Sequence, residues 1–122
     1  LGSVPYAQTL QLYRQADLYC LPTRYAEGFP TTFLEAAVLG CPILTSRTGG
    51  SDELLPDERY GIQLDEPTPE ALAPALKQAL TDDAWRREAA ALTRARLQTL
   101  FTWDATAAAL EALLPAPTTR PE

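Results

Sequence analysis

Three short apolar runs, "DLYCLP", "CPILTS" and "GIQLD", separated by longer segments of helical character, constrain this chain more than any other feature. The first two are almost continuously apolar, as strands are when helices cover both faces of a parallel sheet. Between them, the segment from Thr31 to about Leu39 carries small and apolar residues at helical spacing. It stops at Gly40, a residue suited to the left-handed turn that ends a helix. Strand, helix, strand is a βαβ crossover. The expected fold class is therefore α/β: a partial doubly wound, Rossmann-like parallel sheet of three to four strands with flanking helices, and a mainly helical C-terminal portion. "GIQLD" is the weaker third strand, and "LGSV" would be the fourth.

The remaining elements follow from start and stop signals. Pro5 can open a helix in which Tyr6, Leu10 and Tyr13 recur at helical spacing before Asp17 interrupts. Thr48-Gly49-Gly50 has the chemistry of a turn, followed by one helical turn around Ser51 to Leu55. Thr68 with Pro69 marks a helix start, with Leu72, Leu76 and Leu80 on one face and Pro74 as a kink. Thr81 or Asp82 caps an Arg-rich helix around Trp85, Ala89 and Leu92. Thr102 caps a last helix striped by Trp103, Ala107, Leu110 and Leu114. Tyr13, Trp85 and Trp103 are expected to pack, and Arg86, Arg87, Arg94 and Arg96 to form a solvated face.

At 122 residues the chain suits one compact domain, expected over 1–114, with the polar and proline-rich tail 115–122 expected to be disordered. No run of eighteen apolar residues and no basic-then-apolar leader occurs, which predicts a cytoplasmic protein without a transmembrane segment. The sequence holds no Met, which points to a processed or excised piece. It also holds no His, and neither Cys20 nor Cys41 has a partner at metal-ligand spacing, so no metal site is expected; both thiols read as small buried hydrophobes in a reducing compartment. Residues 1–50 hold three basic and three acidic side chains, so the net charge of −6 arises wholly in residues 51–122, with seven basic against thirteen acidic. That balance argues against nucleic acid or an anionic membrane as partner.

The chemistry concentrates in "EGFPTTFLEA", residues 27 to 36, which connects the first strand to its following helix. Ligands of open α/β sheets bind beyond the carboxyl ends of the strands, where loops enter helix N-termini. Gly28 lets the backbone turn and approach a ligand, and the amides of Thr31 and Thr32 would point outward with the positive end of the helix dipole behind them, which suits phosphate. Thr31 and Thr32 also read as a simple helix cap. Glu35 lies one turn beyond Thr31 and can accept two hydrogen bonds from a vicinal diol such as a ribose; its bland alternative is a solvent-facing helix residue. Glu27, before the turn, would meet the other end of such a ligand or merely support the dipole. Hydroxyls at both ends with phosphate between describe a nucleotide sugar.

With "LYRQADLYCLPTRYAEGFPTTFLEAAVLGCPILTSRTGGSDELL" and "FTWDATAAALEALL" in this order, the chain resembles the retaining GT-B glycosyltransferases of the group 1 family, in the C-terminal part of their donor-binding domain. The shared features are the first strand, two glutamates with seven residues between them, a small-residue helix, a Gly-Gly loop and a closing helix. The resemblance implies that Glu27 contacts donor-sugar hydroxyls, that Gly28, Phe29, Pro30, Thr31 and Thr32 serve the sugar and diphosphate through the backbone, and that Glu35 holds the ribose. Pro30 departs from the Gly of many members and removes one N–H. Gly49 and Gly50 match a loop bordering the cleft, and Glu53 an acidic position near it.

No catalytic residue is assigned. The donor would be a nucleotide-diphosphate sugar and no separate cofactor is implied. The family's N-terminal acceptor domain, and the cations that neutralise its diphosphate leaving group, have no counterpart in this chain, so the fragment alone is expected to be inactive, and its incomplete sheet predicts self-association through an exposed edge. Two other readings remain beside this one: a fragment of a GT-B-like nucleotide-sugar epimerase, and a non-catalytic nucleotide-sugar-binding or interaction module.

Overall fold

The computed structural model describes residues 2–25 and 28–114. Glu27 and the tail 115–122 lie outside the described residues. The elements run α1 (Tyr6–Gln15), β1 (Tyr19–Leu21), α2 (Thr31–Val38), β2 (Ile43–Ser46), α3 (Ser51–Leu54), β3 (Ile62–Leu64), α4 (Pro69–Thr81), α5 (Asp83–Leu100) and α6 (Trp103–Leu113).

The three strands form one parallel sheet in the order β1-β2-β3, with Tyr19 opposite Ile43 and Leu44 opposite Ile62. The α/β class with a parallel sheet and a helical C-terminal portion therefore holds. Of the expected fourth strand "LGSV", Leu1 lies outside the described residues and residues 2–4 form no ladder, so that among the described residues β1 is an edge of the sheet.

β2 is the central strand and every residue of it is buried, which is why its sequence carries no polar–apolar alternation. Its successive side chains point to opposite faces. Ile43 enters a core with Phe33, Ala36, Ala37, Leu54 and Leu55 from α2 and the α3 region, flanked by Tyr13 of α1 and Leu97 of α5. Leu44 enters the other, packed against Ala75 and Ala79 of α4 with Ile62, Leu72, Leu76 and Trp85 around them. The sheet is thus a middle layer between α2 and α4.

Several expectations are corrected. β1 is not covered on both faces: α4 lies over β2 and β3, and Cys20, on that face of the edge strand, is exposed while Cys41 is buried. In α4 the buried positions are Ala75 and Ala79, with Leu72 and Leu76 partly buried; Leu80 falls one residue past the buried stripe and is half exposed. The helix runs on through Pro74, which lies on its exposed side. Trp103 does not pack but is 89% exposed, and α6, which lies against α5, buries none of its residues among the described residues. Nor are all four arginines of α5 a solvated face. Arg86 donates to the Ala79 carbonyl at 2.8 Å, and Arg96 to the Glu53 carbonyl at 2.7 Å, each placing a cation near the carbonyl end of another helix.

Capping follows the sequence signals in most places. Thr68 accepts from the amide of Ala71, Asp82 from Trp85 and Thr102 from Ala105. α2 ends in a Schellman motif: Gly40, at φ +76°, donates to the Ala37 carbonyl and Cys41 to the Ala36 carbonyl.

Candidate functional site

The last two residues of β2 determine where the chain goes after β1. Thr45 Oγ1 donates to the Leu21 carbonyl at 3.0 Å and Ser46 Oγ to the Thr23 carbonyl at 2.5 Å. Buried hydroxyls thereby satisfy carbonyls that leave the ladder and aim the following segment across the carboxyl end of the sheet. That segment returns as Gly28-Phe29-Pro30 and enters α2.

The start of α2 differs from those of α4, α5 and α6. Pro30 occupies the N-cap position, no side chain caps the helix, and the first backbone bond runs from Phe33 N–H to the Pro30 carbonyl at 3.0 Å. Thr31 and Thr32 therefore do not act as the cap. Thr32 Oγ1 instead pairs with the Tyr19 hydroxyl at 2.7 Å, tying the helix start to β1. The outward amides of the first turn keep their partial positive charge available to an anion.

Phe29 is held on two sides. Its ring lies 6.5 Å from Phe33 of α2 and 5.1 Å from Phe101, which follows α5. Below it passes Gly50, whose amide donates to the Gly28 carbonyl at 3.1 Å; any Cβ on Gly50 would collide with the Phe29 ring. Gly28 is exposed, and a Cβ there would meet nothing. Gly49 turns the chain at φ +25°. Ser51 fixes this second loop, accepting from the Thr48 amide at 3.1 Å and donating to Gln63 at 2.6 Å.

Glu35 sits one turn inside α2, half buried, and its carboxylate accepts from the Tyr6 hydroxyl of α1 at 3.3 Å. It also faces Tyr13: burial first, then the Glu35 charge, pushes that phenol up to about 12. Glu35 is thus engaged by α1 rather than fully solvated, and a carboxylate with roughly four acceptor positions keeps others open to a diol. Glu53 lies on α3, its amide donating to the Gly50 carbonyl at 3.0 Å, beside a groove of about 390 Å³ shared with Arg96, Phe101 and Ala105. Gly28, Phe29, Pro30, Thr31, Thr32, Gly50 and, one turn deeper, Glu35 are brought to one end of the sheet.

A cavity of about 560 Å³ opens beside the loop at the carboxyl ends of all three strands, lined among others by Thr23, Arg24, Arg47, Gly49, Asp65 and Thr68. Arg47 is neutralised within it by Asp52 and by Asp65, the latter at 2.9 Å. The Thr48 hydroxyl oxygen is buried there without a protein partner among the described residues. Apart from Gly49 and its neighbour Thr48 in the turn, reading the sequence did not bring these residues to the cleft. The usable signal was their position, each within a few residues of a strand's carboxyl end. Among the described residues no group of three or more His, Cys, Asp or Glu could hold a metal ion, and no helix is long and apolar enough to cross a membrane.

The family model described as "Glycosyl transferases group 1" matches residues 1–96. The chain belongs to this family. Among relatives of this group 1 member, "Glycogen synthase" of Mycobacterium tuberculosis is 33% identical over 109 residues, covering 89% of this chain and 26% of that protein. "D-inositol 3-phosphate glycosyltransferase" of Corynebacterium glutamicum is 33% identical over 111 residues, covering 89% of this chain and 26% of that protein. Among solved structures, sucrose-phosphate synthase from Thermosynechococcus elongatus superposes with a TM-score of 0.76 at 31% identity, over 93% of this chain and 28% of that one. The C-terminal domain of a glycosyl transferase group 1 family protein from Francisella tularensis shares the fold, with a TM-score of 0.73 at 20% identity over 84% of this chain and 53% of that one. The chain thus spans about a quarter (26%) of the length of these two sequence relatives.

Proposed function

We propose that the full-length protein transfers a sugar from a nucleotide-diphosphate donor to an acceptor with retention at the anomeric carbon, and that this segment is half of the donor site. One observation carries the reading: the N-terminus of α2, at the carboxyl end of β1, is capped by no side chain, and Glu35 stands one turn beyond it. An anion such as a diphosphate is stabilised at such an end by outward amides and the helix dipole, and the carboxylate beyond it can take the two ribose hydroxyls. Glu27, by family resemblance, contacts the sugar at the opposite end.

The relatives' names, a glycogen synthase and a glycosyltransferase of D-inositol 3-phosphate, support a sugar-transfer reaction without naming this protein's donor or acceptor. The remainder of the full-length chain supplies the acceptor side and the cations that stabilise the leaving diphosphate. The position of β1 at the edge of the described sheet and the exposed Trp103, Leu110 and Leu113 of α6 support such a remainder packing here.

Calorimetry of the full-length protein against UDP- and GDP-sugars should show binding to at least one. The double variant Glu27→Ala, Glu35→Ala should lose most of that affinity and its turnover, and the anomeric configuration of the product should match that of the donor. Donor affinity and turnover unchanged by loss of both carboxylates would overturn the proposal.

A further inference from the structure

We infer that Phe101, at the junction of α5 and α6, is a positioning residue for the donor loop. The inference rests on the donor-site reading of Gly28 to Thr32. Among the described residues, the tie from Gly28 to the second loop is the bond from Gly50 N–H to the Gly28 carbonyl. What sets the height of the backbone over the helix terminus is the Phe29 ring, and that ring fills a slot with three walls. Gly50 is the floor, Phe33 one side and Phe101 the other, at centroid distances of 6.5 and 5.1 Å for the two rings. Gly50 and Phe33 belong to elements already adjacent to the loop. Phe101 comes from the far end of the sequence.

Phe101 is also held where it is. Its amide donates to the Leu97 carbonyl and ends α5, and the next residue, Thr102, accepts from Ala105 to start α6. Arg96, one turn earlier, anchors α5 to the Glu53 carbonyl of α3. The ring therefore projects from a junction bounded by a helix end, a cap and an anchor. A shift of the α5–α6 junction moves the wall against which Phe29 rests, and with it the amides of the loop. Tilted aromatic pairs at this separation favour one mutual arrangement over others, so the contact specifies loop position as well as burying area.

The experiment measures donor dissociation constants, KM and kcat of the full-length protein with a panel of UDP- and GDP-sugars. Phe101→Ala should weaken donor binding about tenfold and Phe101→Leu about threefold, with kcat within about twofold, while Phe101→Tyr restores affinity. Thr93→Val, which breaks the 2.6 Å bond from α5 to the Tyr60 carbonyl, is the control for general destabilisation and should lower the melting temperature without changing donor affinity. If Phe101→Ala does not fold, a double-mutant cycle of Phe29→Leu and Phe101→Leu decides: the two losses should be strongly non-additive. Unchanged affinity in the Phe101 variants, or additive losses in the cycle, overturns the inference while leaving the donor site in place. Failure of the unsubstituted protein to bind any nucleotide sugar removes both.

Discussion

The amide of Gly50 donates to the carbonyl of Gly28 at 3.1 Å, so the loops that leave β1 and β2 are joined by a backbone bond directly under the Phe29 ring. The two glycines have opposite tolerances. A methyl at Gly50 enters the aromatic ring, whereas one at Gly28 enters open space. Gly50→Ala should cost about 1–3 kcal/mol of stability as Phe29 is displaced, and Gly28→Ala less than about 1 kcal/mol. Urea unfolding of the two variants checks this, and equal losses would contradict the packing described.

The hydroxyls at the end of β2 matter for a different reason. Thr45→Val removes the 3.0 Å bond from the buried Thr45 hydroxyl to the Leu21 carbonyl, which keeps the Thr23 amide as a second donor at 3.0 Å. The expected loss is about 0.5–1.5 kcal/mol, that of one hydrogen bond rather than of an orphaned carbonyl. Ser46→Ala should act through the Thr23 carbonyl and loosen the segment that follows, seen as faster amide exchange at residues 23–25 and at Gly28 and Phe29.

Cys41 and Tyr13 carry the largest upward shifts among the groups that make stability depend on alkaline pH, with Tyr6 and Cys20 raised as well. Burial raises Cys41 from 9.0 to about 11, and burial together with Glu35 raises Tyr13 from 10.0 to about 12. In both, the neutral form is favoured by folding, because ionisation would place an anion in a poorly solvated site or beside a carboxylate. Their contribution is whole below pH 9 and is lost as pH rises through the folded values, from about 9 to 12. Denaturant midpoints should fall across that window, and Tyr13→Phe should flatten the upper part of the fall. A pH-independent midpoint between 9 and 12 would refute the assignment.

The two thiols should be distinguishable in the folded 122-residue chain. Cys20 is exposed on the edge strand and Cys41 is buried. A disulfide reagent should titrate one thiol in native protein and two in denaturant, and Cys20→Ser should abolish the native reaction.

Much of this site could be read along the chain because it is local. The helix from Thr31, the stop at Gly40 and the caps at Thr68, Asp82 and Thr102 depend on residues a few positions apart, and these formed where the pattern placed them. The family too was legible, since its motifs are short and ordered.

What the sequence alone determined was therefore the class of fold and the order of its elements, both set by periodicity and by backbone chemistry within a turn or two. Only the tertiary structure decided that Phe101 lies against Phe29, that Gly50 is required by that ring, that Glu35 faces the tyrosines of α1, and that Trp103 is left uncovered. These depend on which faces of distant elements meet. An amphipathic stripe states that a face seeks a partner, and packing of the whole chain determines whether it finds one.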